Sequence, residues 1–179
     1  MQKKLLKIAL ASAFATSLTT AASAEELADL MGLSKADFLE RSEELYLASF
    51  DVQRELINRV SPGLGEDALA DYPLTDAELS GMECMYDTMV DLGQLELMAK
   101  QLLFANVLAL KAETDPEFDF VTLITDDALI EEMGGDIPDE AIAAMRECDY
   151  LTASQERMNY SPEFWAIIGQ EAEARGLDG

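Results

Sequence analysis

The side chains able to do chemistry in this sequence are two cysteines, nine methionines and 36 carboxylates, with no histidine to work beside them. Without histidine the commonest general base, the commonest metal ligand and every Ser–His or Cys–His nucleophilic pair are gone. No Ser-x-x-Lys, G-x-S-x-G, P-loop or G-x-G-x-x-G pattern replaces them. The residues therefore favour a protein without catalytic activity, and they nominate no catalytic residue, cofactor or metal ligand. The alternative is a carboxylate-dependent enzyme acting on an envelope glycan. That chemistry needs two carboxylates facing each other across a cleft, and no spacing singles out which two.

Three groups merit a chemical reading. Cys84 and Cys148 are too far apart in sequence to form a CxxC redox pair. In an oxidising compartment an isolated pair of this kind makes one structural disulfide. Asp115, Glu117, Asp119 and Asp126 occupy positions 1, 3, 5 and 12 of a calcium loop, but Phe120 stands where the sharp turn requires glycine and Pro116 stiffens the entry. A capped helix start, with Phe118 and Phe120 reaching the core, is the better reading. Met82, Met85 and Met89 recur on one side of a helix. Thioethers are soft enough to hold Cu(I), which makes a copper binder a further alternative, but methionine at helical spacing is ordinary core filler.

The elements that would position these groups are helices. Ser34 caps a long amphipathic helix that carries Phe38, Leu45, Tyr46, Val52, Leu56 and Ile57 and stops at Ser61-Pro62-Gly63. A loop with at most one helical turn follows. Thr75-Asp76-Ala77-Glu78 is a capping box opening a second helix, which breaks at Gly93. Residues 94–111 are apolar nearly all round and predict the buried core helix, too short between Lys100 and Lys111 to span a bilayer. Short helices are expected from Asp115-Pro116 and from Thr125-Asp126-Asp127, the latter ending at Gly134-Gly135. A long helix is expected from Pro138 to about Tyr160. A last one, capped by Ser161, should dock Phe164 and Trp165 onto the rest through a face continued by Ile167 and Ile168.

No stretch alternates like a strand, so the expected fold is all-α, a single-domain bundle of about five main helices. Two of them share a small-residue face: Ala77, Gly81, Cys84 and Thr88 on one, and Ala141, Ala144, Cys148 and Thr152 on the other. A disulfide brings Cα atoms to about 5.5 Å, closer than the usual 8–10 Å between helix axes. These two helices are therefore predicted to pack directly, stapled by an interhelical Cys84–Cys148 bond.

The address comes from the first 24 residues. Lys3, Lys4 and Lys7 precede an apolar run from Ile8 to Leu18, and Ala22-Ser23-Ala24 is a small-x-small end. This is the pattern of a secretory signal peptide, cut after Ala24 to leave a domain of residues 25–179 in the periplasm or outside the cell. Cleavage would remove three lysines and no carboxylate, leaving nine basic against 36 acidic residues and a formal charge of −27. Such a surface repels nucleic acid and anionic lipid. No membrane span is expected in the mature chain, and the oligomeric state stays open. The expected function is an exported acidic binding or interaction protein of the bacterial envelope, with a basic protein or peptide as partner. A pH-responsive or chaperone-like version follows from the same charge, because protonating every carboxylate would swing it toward +9.

Overall fold

The computed structural model describes residues 21–126 and 138–177. Most of the expected leader lies outside these residues, as do Asp127 and the Gly134-Gly135 stop. Nine helices form among them: α1 (Ala21–Met31), α2 (Lys35–Val60), α3 (Leu64–Ala68), α4 (Asp76–Asp91), α5 (Leu95–Thr114), α6 (Phe120–Thr125), α7 (Asp139–Glu147), α8 (Tyr150–Arg157) and α9 (Pro162–Ala174). The only strand-like feature among the described residues is an isolated antiparallel bridge between Leu69 and Met158. The fold is all-α.

The expected caps set the helix starts. Ser34 Oγ accepts from the Asp37 N–H at α2, and Ser161 Oγ from the Phe164 N–H at α9. Thr75 and Glu78 make both halves of the capping box at α4. Each supplies partners for N–H groups that a helix start otherwise leaves open. The long α2 is the axis of the bundle, burying Phe38, Leu45, Tyr46, Phe50, Leu56 and Ile57 against α1, α3, α4, α5 and α6. Gly65 lets α3 lie on α2, since a β-carbon there would collide with the Arg54 carbonyl. The apolar α5 buries Met98, Ala99, Leu103, Phe104 and Leu108, while Leu110, on its far side, is 61 % exposed.

α4 runs antiparallel to α2. Lys35 Nζ reaches Asp87 Oδ1 at 2.7 Å, the Phe38 and Tyr86 rings lie 5.0 Å apart, and Tyr46 is within electrostatic reach of Glu78. α4 also packs on α7 and α8.

Two expectations about elements are corrected. Asp115-Pro116 begins a turn; the short helix starts after Asp119, whose carboxylate accepts from the Thr122 N–H as its cap. Thr125 and Asp126 close that helix, and the helix expected from Thr125-Asp126-Asp127 to Gly134-Gly135 falls beyond them, outside the described residues. The helix expected from Pro138 to Tyr160 is broken after Glu147: Asp149 adopts a left-handed φ of 53°, and the chain restarts as α8. The break falls at the cysteine, where the backbone presses on α4.

Candidate functional site

Cys84 and Cys148 are disulfide-bonded with Cα atoms 5.6 Å apart, and α4 packs on both α7 and α8. Gly81, Ala141 and Ala144 are buried at this contact, and Thr88 Oγ1 lies 3.8 Å from Cys148 Sγ. A β-carbon on Gly81 would stand 3.2 Å from the Cys148 carbonyl oxygen and from Tyr150 Cα. The staple is therefore closer to backbone-on-backbone packing than a helix pair with side chains between would allow. The small-residue face is shorter than its spacing suggests. Ala77 lies exposed one turn before the contact, and Thr152 is exposed because the break at Cys148 rotates α8 out of the α7 register.

The calcium-loop carboxylates go to separate tasks. Asp115 Oδ1 accepts from the Glu117 N–H at the surface. Asp119 is buried, taking the Thr122 N–H on Oδ1 and Arg175 Nη2 on Oδ2 at 2.6 Å. Burial pushes the Asp119 carboxyl up, but Arg175 and Thr122 outweigh it and hold it below the usual carboxylate range. Phe118 and Phe120 reach the core as expected. Among the described residues no three Cys, Asp or Glu side chains group as a metal would need. Met82, Met85 and Met89 lie in the core, each 1 % exposed or less, and belong to its continuous apolar cluster. Phe164 is buried, and Trp165 joins a ring cluster in which Tyr160 stacks on Phe164 at 4.6 Å and Phe120 meets Phe164 edge-on at 5.6 Å. Ile167, expected on the docking face, is 37 % exposed.

The most concentrated chemistry was not legible in the sequence. Arg157, at the end of α8, donates from Nε to Glu78 Oε1 at 2.8 Å and from Nη2 to Oε2 at 2.9 Å, and both side chains are almost fully enclosed. The guanidinium also donates to the carbonyls of Tyr72 at 2.7 Å and Pro73 at 3.3 Å, and it lies 4.3 Å over the Tyr72 ring. Glu78 meanwhile accepts from the Thr75 N–H and hydroxyl. Burial pushes this carboxyl up, yet Arg157 and Thr75 together hold it below the usual carboxylate range. Beside the pair, Tyr46 donates to Ser154 Oγ at 2.8 Å, and Ser154 donates to the Tyr150 carbonyl. Burial pushes the Tyr46 hydroxyl up to about 12 and carries those of Tyr150 and Tyr160 upward as well.

Glu78 and Asp119 are the buried carboxylates among the described residues. Each is ionised, paired with an arginine and committed to a helix cap. A general acid or a hydrolytic base near neutrality needs a carboxyl tuned upward, which is the opposite of this arrangement. The signal that could have found these sites is slight. Glu78 is visible as the third residue of a capping box, but the box gives no sign that its carboxylate also faces Arg157.

The chain matches no protein-family model, no curated protein and no solved structure.

Proposed function

We propose that this chain is an exported, acidic, disulfide-stapled binding protein of the bacterial envelope that acts without catalysis on a partner with a basic surface. The observation that carries the reading is how the carboxylates are distributed. The two that the described residues bury are neutralised by Arg157 and Arg175, and the other carboxylates of the described residues lie outside the core. A surface of this kind steers cationic partners toward it and loses that pull as salt rises.

The glycan-enzyme alternative has less support. It asks for a buried carboxyl with a raised pKa in a cleft, and the two carboxyls buried among the described residues are held low. The copper alternative would need the core methionines to leave their packing. Export is favoured by the leader pattern of residues 1–24 and agrees with the disulfide. No helix among the described residues is long and apolar enough to cross a membrane.

Native mass spectrometry of the protein expressed with its leader in a bacterium and released gently from the envelope tests the reading. A chain beginning at Glu25, two hydrogens light and free of metal, with a basic protein captured at low salt and released at high salt, is the expected result. An uncut leader removes the exported part of the reading. Bound copper, or glycan cleavage by the purified protein, replaces the binding reading with one of its rivals.

A further inference from the structure

The antiparallel pairing of α2 with α4 sets Phe38 on Tyr86 and Lys35 on Glu83 and Asp87. Lys35 is the first residue of α2, and Asp87 stands near the end of α4. The chain just before Lys35, with Met31 and Leu33, and the chain just after Asp87, with Val90 and Leu92, therefore lie at the same end of the bundle. Met31 and Val90 stand in the last turns of α1 and α4, and Leu33 and Leu92 in the turns that follow them. All four face solvent, Met31 at 37 %, Leu33 at 39 %, Val90 at 47 % and Leu92 at 41 %. They make up four of the nine large apolar side chains exposed among the described residues. Apolar groups gathered at one place in this way mark an interaction surface, whereas scattered ones need no explanation.

Charge selects the occupant. Asp37, Glu83, Asp87 and Asp91 are exposed around this end. Lys35, the cation nearest the patch in sequence, is already held between Glu83 at 3.0 Å and Asp87 at 2.7 Å. A second copy of the chain would bring acidic rim against acidic rim on molecules of formal charge −24. An anionic lipid surface meets the same repulsion. A basic amphipathic helix satisfies both features, with its apolar face on Leu33, Val90 and Leu92 and its lysines or arginines on the rim. We propose that this end of the bundle is the docking site for such a peptide segment, an inference that rests on the reading of a basic partner.

The test titrates the full oxidised protein into a fluorescein-labelled amphipathic helix built of leucine and lysine, read by anisotropy. Saturable binding that weakens with salt is expected. The Val90→Ser/Leu92→Ser double variant should lose at least about tenfold in affinity. Leu110→Ser, on the exposed side of α5, should bind like the parent. Circular dichroism melts of both variants verify that the fold is intact. If the double variant binds unchanged, or Leu110→Ser weakens binding equally, the docking site is overturned while the basic-partner reading stands. If the leucine–lysine helix does not bind, or a leucine–glutamate helix binds as tightly, both are overturned. A dimer dissolved by the double variant would assign the patch to a second copy, and retention on phosphatidylglycerol vesicles would assign it to lipid; either overturns the proposal.

Discussion

Replacing Glu78 by glutamine takes one charge from a pair whose other member, Arg157, has almost no route to water. A buried cation left without its counter-ion costs about 3–5 kcal/mol, so Glu78→Gln should lower the denaturant midpoint by that equivalent. The pH dependence has a fixed sign. Because the folded carboxyl titrates below the unfolded one, its contribution is complete above the ordinary carboxylate range and disappears as pH falls through the folded value. The gap between parent and Glu78→Gln should therefore be widest near neutrality and narrow in acid; a gap independent of pH would mean that the pair is not what the substitution removes. Gln101 presents the opposite case. Both atoms of its amide are buried on α5 with no hydrogen-bond partner. Gln101→Leu should stabilise the protein by about 1 kcal/mol or more, with an unchanged denaturant slope, and a loss of stability would show that the amide has a partner in solution.

At the scale of elements, the contact of α4 with the α7–α8 break depends on a missing side chain. A β-carbon on Gly81 meets two backbone atoms at 3.2 Å, which cannot swing away as a side chain would. Gly81→Ala should cost about 1–3 kcal/mol through this overpacking. Gly169→Ala, within α9 and with nothing inside 4 Å of the added carbon, should instead be neutral or gain up to about 1 kcal/mol from helix propensity. Thermal melts of the two variants measured together check the contrast, and equal effects would refute it. Arg59 shows the same dependence on neighbours. It donates to the carbonyls of Ala112 and Phe118 at 2.8 and 2.9 Å, fastening the end of α5 and the turn after it to α2.

For the whole molecule, the disulfide closes a loop across a sequence separation of 64 residues and joins α4 to the chain that returns from α6. Restricting the unfolded chain over that span is worth roughly 4 kcal/mol in the loop-entropy picture. Reduction should lower the melting temperature accordingly, and identical melts with and without a dithiol would mean that the bond adds no stability. The ion pair of Arg157 with Glu78 and the hydrogen bond of Tyr46 to Ser154 hold α8 independently of the sulfur link. The reduced protein should therefore keep most of its helical signal at moderate temperature.

Local chemistry was enough to read the all-helical class, the caps at Ser34, Thr75 and Ser161, the turn at Gly93, the apolar α5 and the pairing of Cys84 with Cys148. Caps and periodicity act over three or four residues, and two cysteines can pair in only one way. The helix break after Glu147, the Asp119 cap, the pairing of Glu78 with Arg157 and of Asp119 with Arg175, and the gathering of Met31, Leu33, Val90 and Leu92 at one end were decided by the tertiary structure. Glu78 and Arg157 lie 79 residues apart, and no local pattern distinguishes them from the solvated charges of an acidic chain. What makes them a site is desolvation, and burial is fixed only when α4, α8 and the loop carrying Tyr72 and Pro73 come together.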